Sequence, residues 1–253
     1  MGRPMVDRLI AAGHQVQVLG RTPAARDSLQ RAGAHPVPTA AAAADGADVV
    51  CLCVFKDDQV TQICLDEGLI QAMPEGSVLV LHTTGSPRTA QAIAAARRAI
   101  GVLDAPVSGG PHDIAAGHVT LLIGGEAADL DRARPVLQSY GDPLLHVGPL
   151  GAGQAVKLVN NAVFAANIGL LADAVQLGAQ LGVEESVLLN ALPHGSAASR
   201  ALAIAATRGS VTQFAEAVRE FLAKDVAVVR QVAADLNAPL GALDPAIDAL
   251  QFK

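Results

Sequence analysis

Short apolar bursts alternate with longer amphipathic stretches through the first half of the chain. Residues 14–19 form a β-type run and are followed by helical spacing over 23–32; residues 48–54 repeat the pattern ahead of 57–65. Strand then helix, repeated, predicts βαβ units and a mainly parallel sheet with helices on both faces. Further strands are predicted over 78–82, 101–105 and 119–123, each bounded by Gly, Pro or Ser.

Beyond Gly148-Pro149-Leu150-Gly151 the texture changes. Residues 152–181 contain no proline and space their apolar side chains as one long helix. The remainder reads as helical segments broken near Pro193-His194-Gly195 and Asn237-Ala238-Pro239, with no clear strand. The predicted fold is therefore α/β, a Rossmann-like doubly wound domain over 1–149, followed by an all-helical domain over 150–253. No repeat of roughly 20 to 50 residues is visible, which removes solenoids.

Composition narrows the classes of function. With 253 residues and 51% hydrophobic content, the chain can bury one large core or two moderate ones. No uninterrupted apolar run approaches the roughly 18 to 20 residues that cross a bilayer, so no membrane partner is expected. A net charge of -6 with scattered Lys and Arg gives no basic stripe for nucleic acid. Cys51, Cys53 and Cys64 lack metal-ligand spacing and read as buried reduced thiols, and no metal is expected. With no secretion signal at the start, the expected location is the cytoplasm.

Four segments carry candidate chemistry. The opening Met1-Gly2-Arg3-Pro4-Met5 runs straight into a helix, and Gly2 matches only the last glycine of a G-x-G-x-x-G dinucleotide loop. Asp104-Ala105-Pro106-Val107-Ser108-Gly109-Gly110 places a hydroxyl and several backbone amides at a strand end, where α/β sheets bind ligands. Such a turn suits a carboxylate, and equally an ordinary strand-to-loop connection. In Gly151-Ala152-Gly153-Gln154-Ala155-Val156-Lys157-Leu158-Val159-Asn160-Asn161, Lys157 and Asn161 lie four residues apart on one helical face, with Asn160 beside them. That face is either functional or solvated. Lys224-Asp225, within an otherwise apolar helix, is a functional pair or a surface or interdomain ion pair.

In this order and at these separations the motifs resemble the β-hydroxyacid dehydrogenase family, which includes 3-hydroxyisobutyrate dehydrogenase and tartronate semialdehyde reductase. The opening is similar to the tail of that family's Gly-x-Gly-x-Met-Gly-x-Pro-Met loop, so the first strand and two glycines that precede it in the family are not in this chain. The resemblance implies that Ser108, Gly109 and Gly110 bind a substrate carboxylate, Lys157 handles the proton and Asn161 holds the substrate. It sets Lys224, Asp225 and Thr84 near the cofactor, with Gly2 in the pyrophosphate loop. Asp113 and Ile114 depart from the family's usual Gly-Ala, and His82 stands where an aspartate is common. Imine reductases share the architecture but usually lack the helix lysine, so Lys157 favours a hydroxyacid enzyme.

The expected reaction moves a hydride between NAD(P) and a small 3-hydroxy acid or its semialdehyde. Lys157, an amine of ordinary pKa about 10.4, serves as acid in reduction and as base in oxidation, which alkaline pH favours. By the resemblance, Arg21 and Thr22 end the strand that meets the adenosine ribose; Arg21, with no acid nearby, either tilts the expectation to NADP over NAD or is a solvated turn residue. Long apolar helices imply a homodimer or homotetramer. The competing expectation is a truncated, non-catalytic or cofactor-deficient paralogue that folds and oligomerises without turnover.

Overall fold

The computed structural model describes residues 1–249. The chain divides into two compact units, Met1–Lys157 and a second beginning at Leu158.

The first unit alternates helix and strand: α1 (Gly2–Ala11), β1 (Gln17–Leu19), α2 (Pro23–Arg31), β2 (His35–Val37), α3 (Ala40–Ala44), β3 (Val49–Leu52), α4 (Asp57–Thr61), α5 (Leu69–Ala72), β4 (Val78–Leu81), α6 (Pro87–Ala96), β5 (Gly101–Asp104), β6 (Val107–Ser108), α7 (Pro111–Ala116), β7 (Val119–Gly124), α8 (Ala127–Leu137) and β8 (Gly141–Gly148). Strands β3, β4 and β5 run parallel, β7 turns antiparallel to β5 and β6, and β8 runs parallel to β7. Every residue of β4 is buried. Its side chains alternate between faces: Leu79 and Leu81 join Val60, Ile70 and Ile93 in one core, whereas Val78 and Val80 join Met5, Leu103, Ile123 and Leu137 in another. Helices thus cover both faces of this sheet, as an all-apolar central strand requires.

Strands β1 and β2 form a separate two-stranded parallel sheet. Sequence patterning did not indicate β8, because only Gly141 of its eight residues is buried and Pro143 interrupts it. Nor did it indicate β6, two residues long, which follows the break at Pro106.

Helix α9 (Ala152–Gln180) starts in the first unit and continues into the second, which adds α10 (Glu185–Ala191), α11 (Arg200–Arg208), α12 (Val211–Asp235) and α13 (Leu243–Asp248). Its core is built on Leu158, Ala162, Ala165 and Ile168 of α9, packed with Leu202, Phe214, Leu222 and Val226. Phe164 meets Phe214 edge-on at 6.0 Å between ring centroids. A methyl on Gly169 would lie 1.8 Å from the Ala246 carbonyl oxygen, so only glycine permits this approach of α9 to α13. By length and composition α9 is apolar enough to cross a membrane, a test that a buried core helix passes as well. Asn, Gln, Lys and Asp punctuate the helix and break its apolar runs without lowering its mean hydropathy below the transmembrane range. In the second unit it is the central core helix.

Candidate active site

In the first unit the parallel strands β3 and β4 end together. Val54 N–H donates to Thr83 Oγ1 at 3.0 Å, and Thr83 Oγ1 donates to the Val54 carbonyl at 2.9 Å. Beyond Thr83 come Thr84, partly buried, and Gly85, buried. Gln154, 3% exposed, closes this loop onto α9 by donating to the Thr83 carbonyl at 2.8 Å and accepting from Gly85 N–H at 3.0 Å. Its amide has fixed partners at both ends, so the loop and the first turn of α9 hold one geometry.

Asp104 holds the other side of that turn. Fully buried at the end of β5, its carboxylate accepts the N–H groups of Gly151 and Gln154, each at 2.6 Å. Burial raises its pKa, against the lowering effect of these amides. A methyl on Gly153 would lie 2.3 Å from the Leu122 carbonyl oxygen and 2.7 Å from that of Asp104, so the sheet and the helix meet backbone to backbone. Lys157, partly buried, follows Gln154 by three residues, and the Ser108 turn follows Asp104 by four. One buried carboxylate therefore ties the strand leading to the proposed carboxylate turn to the helix bearing the proposed acid-base lysine.

The turn itself is partly filled. Ser108 is half-buried, and Gly109 is exposed with φ +139, a conformation that favours glycine. Asp113, where the family usually carries a small residue, accepts Gly110 N–H through Oδ2 at 2.6 Å. That oxygen also lies 3.3 Å from His112 Nε2.

Below these loops lies a buried polar chain. The Ala105 carbonyl can only accept, so His82 Nδ1 donates to it at 2.7 Å. His82 Nε2 then accepts from the Tyr140 hydroxyl at 2.8 Å, whose oxygen takes the Cys51 thiol hydrogen at 3.4 Å. Burial lowers the His82 pKa to about 4 and lifts the Cys51 thiol to about 11. The imidazole is neutral at neutral pH and links the ends of β4 and β5. Cys64 is raised to about 12 by burial, and all three cysteines are free thiols.

Of the expected cofactor residues, Gly2 opens α1, and a methyl there would meet no atom within 4 Å. Arg21 and Thr22 are exposed just beyond β1, with Thr22 Oγ1 accepting Ala25 N–H at 3.2 Å to cap α2.

In the second unit Asn161, Lys224 and Asp225 come together. Asn161 Nδ2 donates to Asp225 Oδ2 at 2.6 Å, and Lys224 Nζ pairs with Asp225 Oδ1 at 2.6 Å. Asn160 Nδ2 donates to Asn161 Oδ1 at 3.0 Å. The Lys224 and Asp225 side chains are only 18% and 12% exposed, so this is a buried pair, contrary to the surface alternative. Sequence reasoning overlooked the part played by Gln154 and gave Asp104 no role of its own. The available signal was a carboxylate and an amide, each set among glycines and apolar residues.

Two family models match the chain: the NAD binding domain of 6-phosphogluconate dehydrogenase over residues 1–148, and the NAD-binding domain of NADP-dependent 3-hydroxyisobutyrate dehydrogenase over 151–251. The chain is 34% identical to NAD-dependent L-serine dehydrogenase of Pseudomonas aeruginosa over 266 residues, covering 100% of this chain and 89% of that protein. It is 35% identical to 3-hydroxyisobutyrate dehydrogenase of the same organism, covering 80% of this chain and 69% of the relative. The structure of 3-hydroxyisobutyrate dehydrogenase from Mycobacterium tuberculosis with L-serine superposes with a TM-score of 0.87 at 26% identity, covering 99% of this chain and 89% of that one.

Proposed function

The chain belongs to the β-hydroxyacid dehydrogenase family, and on that premise we propose that it oxidises a small 3-hydroxy acid, or reduces the matching semialdehyde, with Lys157 as the proton-transfer group. The observation that carries this reading is the Asp104 carboxylate, which anchors the helix of Lys157 to the strand that leads to Ser108.

The family resemblance supports Ser108, Gly109 and Gly110 for the substrate carboxylate and Asn161, whose amide donates to Asp225, for holding the substrate. In oxidation Lys157 Nζ takes the hydroxyl proton as the carbonyl forms, and in reduction it returns that proton. When bound, the nicotinamide supplies the hydride acceptor or donor at the carbinol carbon. Gly2, Thr84 and Arg21 hold this cofactor, and the Arg21 guanidinium favours NADP through a 2′-phosphate. Lys224 acts through Asp225 on Asn161.

Exposed Val159, Val163, Leu170 and Leu177 line one side of α9 at spacings of four and seven residues, which supports a homodimer or homotetramer built on that helix. Three free thiols support a cytoplasmic location.

Titration with NADPH and NADH, followed by nicotinamide fluorescence, tests the cofactor reading. Micromolar binding is expected. Absence of binding to either would favour the cofactor-deficient alternative.

A further inference from the structure

The loops assigned to cofactor and substrate leave the sheet from neighbouring parallel strands, Thr83-Thr84 beyond β4 and Ser108-Gly109 beyond β5. Ala105 N–H donates to the Leu81 carbonyl at 2.8 Å, a rung of the ladder between those strands. In a parallel ladder the next rung brings a backbone N–H from beyond β4 to the Ala105 carbonyl. A side chain takes that place: His82 Nδ1 donates to this carbonyl at 2.7 Å. The imidazole spans more than a backbone rung of about 2.9 Å, so the strands part here at a fixed separation. From Val107 the chain pairs with β7, and Ser108 follows Ala105 by three residues.

The ring is also held from its far side. Tyr140, fully buried just ahead of β8, donates its hydroxyl to His82 Nε2 at 2.8 Å, and the two rings meet edge-on with centroids 5.6 Å apart. His82 is itself buried, and burial keeps it neutral with a pKa of about 4. A neutral imidazole has one donor and one acceptor. Tyr140 occupies the acceptor, which leaves the hydrogen on Nδ1 facing Ala105. On the β4 side the ring is mounted next to Thr83, whose hydroxyl is bound to Val54 and whose carbonyl is bound to Gln154. Every group that determines where the ring sits is therefore itself fixed.

We infer that His82, with its tautomer set by Tyr140, is a positioning residue that fixes the spacing between the cofactor loop and the substrate turn, and with it the hydride-transfer distance. This inference rests on the dehydrogenase reading above. Neither side chain exchanges a proton in the reaction; the effect runs from the imidazole through Ala105 to Ser108. Misplacement of reacting groups by about 1 Å can cost on the order of 10²-fold in rate, so one lost contact at this junction is enough to register.

The test is single-turnover hydride transfer. Protein saturated with NADP or NAD is mixed with 3-hydroxyisobutyrate, 3-hydroxypropionate or serine, and reduced nicotinamide is followed by absorbance. Native protein is compared with His82→Asn, whose amide nitrogen can stand in for Nδ1, with His82→Leu, which fills space without a donor, and with Tyr140→Phe. The leucine variant should transfer hydride roughly tenfold more slowly and the asparagine variant should return to within about threefold of native. Dissociation constants for NADPH and NADH should stay within about twofold throughout, and Tyr140→Phe should fall between the two histidine variants. A native rate in His82→Leu, equal losses in the leucine and asparagine variants, or losses that track weakened cofactor binding overturn the inference and leave the dehydrogenase reading standing. Should His82→Leu fail to fold, Tyr140→Phe decides: a several-fold slower transfer at unchanged cofactor affinity supports the inference, and a native rate overturns it. Absence of hydride transfer from all three acids in native protein with bound cofactor removes both readings.

Discussion

Asp104 accepts the backbone N–H of Gln154 at 2.6 Å, and that single contact joins the end of β5 to the first turn of α9. The same carboxylate takes Gly151 N–H, so two otherwise unpaired donors at the helix start are satisfied by one buried group. Asp104→Asn keeps the shape but replaces one carboxylate oxygen by an amide nitrogen that cannot accept. The expected result is a loss of about 1 to 3 kcal/mol in urea unfolding. If the anchor positions Lys157, kcat should fall more than KM rises. A variant with native kcat and reduced stability alone would confine Asp104 to a structural role.

Asn161 and Asp225 make a second such relationship within the helical unit. Asp225→Ala removes the carboxylate that pairs with Lys224 and accepts from the Asn161 amide, so unfolding free energy should drop by about 3 kcal/mol. Asp225→Asn, which preserves hydrogen bonding to Asn161, should recover much of the KM for the hydroxy acid. Equal KM in the two variants would count against an orienting role.

His82 predicts an acid limit. Its folded pKa of about 4 lies below the ordinary value of 6.5, so the unfolded chain binds a proton that the folded chain refuses. Stability from this group is fully present above 6.5 and falls as pH drops from 6.5 toward 4, by up to about 3 kcal/mol. Urea unfolding of native protein and His82→Gln across that window should show a steeper acid loss in the native chain. Parallel curves would mean that the imidazole protonates freely in the fold.

Arg21 sets the expected cofactor preference. Arg21→Ala should weaken NADPH roughly tenfold, the scale of one charge-assisted contact, and leave NADH little changed, read by fluorescence titration. Equal weakening of both would place Arg21 elsewhere than against a 2′-phosphate.

Much of the fold was legible because period and punctuation agree. The apolar run at 78–82 gave β4, and the proline-free stretch from 152 gave α9 nearly to the residue. Strand β8 was hidden because only one of its eight residues is buried, and burial is what writes a strand into the apolar pattern. Among the proposed site residues, Lys157, Asn161 and the Ser108 turn stand out in the sequence as polar groups at helical or turn spacing. Gln154 and Asp104 did not announce their functions, because each acts on backbone amides whose positions depend on tertiary packing. The pairing of Asn161 with Asp225 spans 64 residues, a distance over which spacing rules carry no information.

The central claim is that Lys157 transfers the proton in a nicotinamide-dependent oxidation. Its most direct test is formation of reduced nicotinamide from NADP or NAD and a 3-hydroxy acid, comparing native protein with Lys157→Ala at saturating cofactor. Turnover by the native chain with a loss of roughly 10²- to 10⁴-fold in the variant is the predicted result. Equal turnover by the two proteins would contradict it.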